Sequence, residues 1–481
     1  MPDLPVIGGG PAGVTAALRA RELGATVTLI ERGNLGGTCT NDGCVPTRVL
    51  ARAARLVRDT QQFARYGLVG DPPSVDFPQV LARAQETVYR VQQKKQLGHH
   101  LAALGVTVFA HSGSARFIDP HTLTLADGTQ LRGDSIIICA GGHARRLPFP
   151  GGEHALTHSD IWSMTRLPRS LAVVGGAATG CQLASIFAAF GAQVHLFEVG
   201  PRLLGVEDEA VSRGITEAFA RRDITITTDI GGIARIERQG DQFQLFYTRG
   251  EQTHALATEA VVLAVGWPAN LDDLNLAAAG VQSERGYIAV NDALRTSTPH
   301  IFAAGDVTGR MMLVQSASAE GTLAAESALL GPGARGQHLI VPHGGFTDPE
   351  YGSVGLTESK ARASDDCAVA TVPYTQIDRA LIDGHTEGLC KLIVSRTTHR
   401  LLGAHIVGEQ ATETLQLVAA GMAADMWVEQ LADLELAYPT FAAIVGLAAR
   451  QITRELGVVP LARPWRTLGQ TAAAEWERSD P

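Results

Sequence analysis

The chain has 481 residues, 45% hydrophobic and 19% charged, and 40 basic against 49 acidic side chains give a formal charge of −9. That length suggests roughly three domains of about 100 to 200 residues each, and the composition excludes a disordered chain. No run of about 18 uncharged apolar residues could span a bilayer and no Lys/Arg cluster could neutralise phosphates, so neither a membrane nor a nucleic acid is expected as a partner.

In chain order, Leu4, Val6 and Ile7 predict a strand, Gly8 to Gly13 a turn, Val14 to Leu23 a helix, and Thr26 to Glu31 a second strand. This βαβ unit carries G-x-G-x-x-G at Gly8, Gly10 and Gly13. Such glycines let backbone approach a pyrophosphate at the helix N-terminus, and Glu31 stands where a carboxylate accepts from a ribose. Because the first glycines come at Gly8, no room is left upstream for a targeting segment, and a soluble cytoplasmic enzyme is expected. Val49 to Leu104 reads as two helices split by Gly70-Asp71-Pro72-Pro73, and Thr107 to Leu131 as a hairpin around Asp127-Gly128. Ile136 to Gly142 predicts an apolar strand ending in two glycines.

The same grammar returns with a strand at Leu171 to Val174, a turn from Gly175 to Gly180, a helix from Cys181 to Phe190, and a strand from Gln193 to Phe197 closed by Glu198. A repeated βαβ unit implies two dinucleotide sites on one chain. Here Ala177 takes the middle glycine's place, and its methyl group narrows the approach to a phosphate. Ala260 to Gly266 and His300 to Asp306 predict further apolar strands. From about Val341, strands (Gly352 to Leu356, Cys390 to Val394, Leu401 to Val407) and helices (Thr412 to Ala424, Phe441 to Leu456) predict an α+β domain, followed from Val459 by a terminal arm.

Cys39 and Cys44 stand out among the 6 cysteines. In a reducing compartment a close pair is more often catalytic or metal-binding than structural. Residues five apart in a regular helix lie about 8 Å from each other, beyond the ~7 Å a disulfide tolerates, so pairing requires a helix break that Asn41-Asp42-Gly43 favours. Two buried free thiols and a metal site are the alternatives, although no further Cys or His follows closely to complete four ligands. No metal is expected, and the pair reads best as redox-active.

The segment Gly36 to Arg48, G-G-T-C-T-N-D-G-C-V-P-T-R, resembles the G-G-T-C-x-N-x-G-C-x-P-[ST]-K signature of the flavoprotein disulfide reductases, the family of dihydrolipoamide dehydrogenase, glutathione reductase and mercuric reductase. The similarity extends through Ile138-Cys139-Ala140-Gly141-Gly142, the second βαβ unit, Ala304-Gly305-Asp306 and Phe346-Thr347-Asp348-Pro349. It implies an α/β protein with two Rossmann-like dinucleotide-binding domains plus a C-terminal α+β dimerisation domain. The implied limits are 1–165 and 286–338 for FAD, 166–285 for NAD(P), 339–458 for dimerisation, and 459–481 for the arm. FAD would be held by Gly8, Gly10, Gly13, Glu31, Gly37, Thr38, Gly141, Gly305 and Asp306, and NAD(P)H by Gly175, Gly180, Gln182, Glu198 and Gly266. The resemblance further implies a homodimer in which NAD(P)H reduces the flavin, the flavin reduces the disulfide through Cys44, and Cys39 attacks a disulfide or other small-molecule electron acceptor. Glu198 predicts NADH over NADPH, because an acid there repels a 2′-phosphate.

Three features depart from the family pattern. The C-terminal H-x-H-P-T-x-x-E motif appears as L-A-Y-P-T-F-A-A, with Tyr438 for the catalytic His and Ala443 for its Glu. Losing such a base usually costs about 10² to 10⁴ in rate, and a Tyr with a pKa near 10 does not replace it, so efficient glutathione or lipoamide turnover is not expected. Tyr438 resembles the mercuric reductases, but their C-terminal cysteine pair is missing; metal-ion reduction and a slow flavin-bound redox sensor are the alternative readings. The family Lys is Arg48 and its Glu partner is Gln182, which predicts a more positive pocket and a depressed Cys44 pKa. Ala177 is the third departure, and it leaves a donor other than a nicotinamide open. Cys139, Cys181, Cys367 and Cys390 fall in or beside apolar segments and are expected to be buried.

Overall fold

The structure is a computed structural model that describes residues 1–331 and 340–458; the expected terminal arm lies outside them. Asp3–Ile7 pairs in parallel with Thr26–Glu31, Val6 opposite Leu29. Thr107–Ala110 joins one side and Ile136–Ile138, then Ile301–Ala303, the other, giving a five-stranded parallel sheet. Val6, Leu29 and Ile137 are fully buried, as continuous apolar runs require when both sheet faces are covered. Its edge strand Ile301–Ala303 arrives only after the second sheet is complete, so this first unit is built from two separated stretches of chain.

Helix Pro11–Glu22 starts earlier than the apolar pattern predicts, because proline suits a first helical position where no N–H is needed. It packs on Val314–Leu330, where a Cβ on Gly321 would lie 2.2 Å from the Ala12 carbonyl oxygen, so only glycine permits the approach. The second parallel sheet runs Thr225–Thr227, Gln193–Phe197, Ser170–Val174, Ala260–Leu263, with Ala178–Ala189 crossing between the paired central strands.

Cys44–Thr60 and Phe77–Lys95 are the two long helices of the next segment, with Gly70 to Pro73 in the connection between them. Asp127-Gly128 turns between the short antiparallel strands Thr122–Thr124 and Gln130–Arg132, whereas Thr107–Ala110 belongs to the parallel sheet instead. The last unit is an antiparallel five-stranded sheet ordered His343–Gly345, Tyr351–Gly355, Leu401–Val407, Leu389–Ser395, Cys367–Pro373. Helices Ala411–Ala423 and Ala443–Glu455 cover it. Among the described residues no helix is long and apolar enough to cross a membrane.

Candidate redox site

Each parallel sheet ends in a turn that side chains would destroy. Gly8 has φ +105° and a Cβ on Gly13 would stand 1.8 Å from the Gly8 carbonyl oxygen; Gly175 has φ +108° and a Cβ on Gly180 would meet the Gly175 oxygen at the same 1.8 Å. Gly10 and Ala177 then cap Pro11–Glu22 and Ala178–Ala189 without a side-chain hydrogen bond and with no acid in the first helical turn, leaving N–H groups and the positive helix end for an anion. Gly10 has φ −76° and Ala177 φ −81°, so the middle position does not demand glycine for its backbone.

The two strand-end acids behave alike. Glu31 accepts from Gly9 N and Gly33 N, both at 2.7 Å, and Glu198 from Gly176 N at 2.6 Å and Gly200 N at 2.7 Å.

Between the turns opens a cavity of about 1320 Å³, beyond the usual small-molecule range of roughly 300–1,000 Å³ and ample for a dinucleotide. Gly8, Gly10, Glu31, Gly37, Thr38, Gly141, Gly305 and Asp306 line it from the first unit, and Ala177, Gln182 and Gly266 from the second. Gly13, Gly175, Gly180 and Glu198 do not line it; they shape the turns from behind. Gly37 has φ +62° and its missing Cβ would press to 2.8 Å from Gly10 Cα, so two glycine backbones meet at the cavity floor. These features fit an FAD: an open helix N-terminus for the pyrophosphate, a carboxylate at the strand end, and a half-buried Asp306 on the cavity wall. Desolvation raises the Asp306 pKa against the hydrogen bond it accepts from Trp267 Nε1 at 2.9 Å.

Cys39, Cys44 and Arg48 face the same cavity. Cys39 rides the short helix Gly37–Asn41, which breaks where Asp42 N and Gly43 N both donate to Thr38 O at 3.0 and 2.7 Å. Helix Cys44–Thr60 then begins at the second cysteine. Both are free thiols, Cys44 exposed and Cys39 half-buried. Their interaction lowers Cys44 to about 7 and pushes Cys39 up. Asp42, inside the loop, is clamped by Ser159 Oγ on its carboxylate at 2.6 Å and by Trp162 Nε1 on its carbonyl at 3.0 Å. His158 Nε2 lies 3.8 Å from the same carboxylate.

The expectation of an uncompensated positive charge at Arg48 is corrected. Its guanidinium Nη1 pairs with Glu350 Oε1 at 2.5 Å, and its Cζ lies 4.6 Å from the centroid of the Phe346 ring. Gln182 contributes no charge; its Oε1 accepts from Phe346 N at 3.2 Å and its Nε2 donates to Ala178 O at 2.9 Å. Cys44 is depressed, but by Cys39 rather than by Arg48. Tyr438 is 54% exposed and donates to Asp378 Oδ2 at 2.5 Å; it does not line the cavity, so one chain alone does not bring it to the cysteines. Cys139, Cys181, Cys367 and Cys390 are buried. Among the described residues no group of three or more His, Cys, Asp or Glu is arranged to hold a metal ion.

Sequence reasoning missed Asp42, His158, Phe346 and Glu350 as members of the site. For Glu350 a signal existed: an acid directly before the buried strand Tyr351–Gly355 must be exposed or paired.

Two dinucleotide turns converging on one cysteine pair define a dithiol oxidoreductase served by nucleotide cofactors. The chain matches the pyridine nucleotide-disulphide oxidoreductase family over residues 2–321 and that family's dimerisation domain over residues 341–449, and it belongs to this family of enzymes, whose members use FAD and NAD(P)H. A dihydrolipoyl dehydrogenase of Zymomonas mobilis is 34% identical over 426 residues, covering 86% of this chain and 90% of its own length. A mercuric reductase of Streptomyces lividans is 33% identical over 463 residues, 94% of this chain and 97% of its own. Among solved structures, the HOCl-induced flavoprotein disulfide reductase RclA from Escherichia coli superposes with a TM-score of 0.82 at 29% identity, covering 94% of this chain and all of that one.

Proposed function

We propose that this enzyme is an FAD-dependent NADH oxidoreductase, a cytoplasmic homodimer, that passes electrons through Cys39 and Cys44 to a small acceptor needing no protein base. The observation that carries this reading is the free thiol pair in a cavity bounded by both nucleotide turns, with Tyr438 engaged by Asp378 instead of a histidine base. FAD, when bound, supplies two-electron transfer between a nicotinamide and a sulfur pair. The domain limits that go with it are 1–165 and 286–338 for FAD, 166–285 for NAD(H), and 339–458 for dimerisation.

The chain's own groups divide the work. The N-terminus of Pro11–Glu22 would hold the pyrophosphate, Glu31 the ribose, and Asp306 the ribityl region. Cys44, at the positive end of its helix, holds the negative charge of the reduced pair, and Cys39 keeps its proton until it meets the acceptor. With a disulfide acceptor, Cys39 loses that proton to solvent and bonds to one acceptor sulfur as the acceptor S–S bond breaks. The departing thiolate takes a proton from solvent. Cys44 then attacks Cys39, closing their disulfide and releasing the second thiolate.

NADH preference rests on two observations. Glu198 closes the second unit, and the nearby Arg202 guanidinium is committed to the carbonyls of Leu204, Gly205 and Glu207 at 3.4, 2.8 and 2.9 Å, leaving it poorly placed for a 2′-phosphate.

The adjacent thiols favour a second reading, a metal-ion reductase, because paired thiolates bind soft ions. The similarity to a mercuric reductase and to a structure described as a Cu(II) complex of RclA, TM-score 0.83 at 28% identity, supports it. Anaerobic NADH oxidation against quinones, Hg(II), Cu(II), glutathione disulfide and lipoamide tests both. The first reading expects a quinone or other base-independent acceptor to exceed glutathione disulfide and lipoamide by about 10² or more in kcat/KM. The second expects a metal ion to do so. Lipoamide or glutathione disulfide as the best acceptor contradicts both.

A further inference from the structure

Glu350 is 1% exposed and receives two guanidinium groups on one oxygen, Arg48 Nη1 at 2.5 Å and Arg55 Nη2 at 2.6 Å. Thr412 Oγ1 donates to its other oxygen at 3.2 Å. Arg48 and Arg55 are two turns apart on the helix that Cys44 opens, so they share a face. Their roles differ. Arg55 is 13% exposed and has a second carboxylate, Glu409, at 3.9 Å, whereas Arg48 is 40% exposed and reaches the cavity.

We propose that Glu350 is a positioning residue for the redox centre, holding the Arg48 guanidinium against the Phe346 ring at the cavity wall and cancelling its charge there. This rests on the reading of the cavity as the flavin site. Burial opposes charge on Glu350, yet Arg55 and Arg48 hold it ionised, so the pair is maintained at neutral pH. A neutral amide at 182, already bonded to Phe346 N and Ala178 O, cannot perform this task. The counter-charge for the cation beside Cys44 therefore comes from the third domain, and the domain junction tunes the redox centre.

The test is the midpoint potential of the flavin in purified holoenzyme, measured by dye equilibration for wild type, Glu350→Gln, Arg48→Met and the double variant. Releasing the Arg48 charge favours the electron-rich reduced state. Glu350→Gln is expected to raise the reduced-to-oxidised ratio at fixed poise about tenfold, which is about 30 mV for a two-electron couple. Arg48→Met is expected to shift it the other way, and the double variant to return near wild type. Gln182→Glu added to Glu350→Gln should also restore the wild-type potential, which a merely structural role for Glu350 would not produce. An equal Glu350→Gln shift with and without Arg48 overturns the positioning role. No shift from Arg48→Met in flavin-loaded enzyme overturns the underlying flavin-site reading instead. Should Glu350→Gln fail to fold, Glu350→Asp retracts the charge by one methylene; a smaller rise supports the role and an unchanged potential overturns it.

Discussion

Cys39, on the short helix Gly37–Asn41, and Cys44, at the start of Cys44–Thr60, face one cavity, and their interaction depresses Cys44 to about 7 and raises Cys39. The asymmetry assigns a thiolate to the sulfur at the helix start and a thiol to the one in the preceding turn.

Removing Cys39 should undo it. Cys39→Ala is expected to move the Cys44 titration above 7 toward an ordinary thiol value of about 8.5, read from thiolate absorbance or alkylation rate against pH in reduced protein. The stability sign follows from the depressed folded pKa. Cys44 contributes stability to the reduced protein above the unfolded thiol value, and that contribution is lost as pH falls through about 7. Wild type should therefore lose more stability than Cys39→Ala on acidification across this window, by denaturant unfolding.

Tyr438 should not matter to a base-independent acceptor. Tyr438→Phe is expected to change kcat with a quinone or metal ion less than about threefold. Tyr438→His combined with Ala443→Glu restores a histidine and its orienting acid, and should raise lipoamide reduction toward the about 10² to 10⁴ that such a base supplies. Steady-state kinetics with both acceptors checks each half.

The two turns make separable predictions. A Cβ on Gly13 would strike the Gly8 carbonyl, so Gly13→Ala should lower bound flavin severalfold, measured by absorbance ratio. Gly180→Ala meets the Gly175 carbonyl in the same way. It should leave flavin content near wild type and raise KM for NADH.

Nucleotide preference is the fourth test. NADH should exceed NADPH about tenfold or more in kcat/KM, and Glu198→Gln should narrow the gap by removing the repulsive charge.

The parts of the fold legible in the sequence were those with strong local rules. Glycine turns, buried parallel strands and the Leu401–Val407 strand stood where the pattern put them. Helix starts were misjudged at Pro11 and Cys44, because capping and the redox loop, not apolar spacing, set them. The strand Cys367–Pro373 was unread because its pairing with Leu389–Ser395 depends on tertiary context. In the site, Cys39 and Cys44 were legible because both partners lie in one short motif. Glu350 was not read as Arg48's partner, because the two are far apart in sequence and only packing of the third domain joins them.

The most direct test of the redox role of Cys39 and Cys44 is an anaerobic NADH titration of the oxidised holoenzyme with thiols counted at the end point. Wild type should consume NADH and release two additional titratable thiols per chain, and Cys39→Ser and Cys44→Ser should release none. NADH consumption with no new thiols in wild type, or no flavin reduction by millimolar NADH, would contradict it.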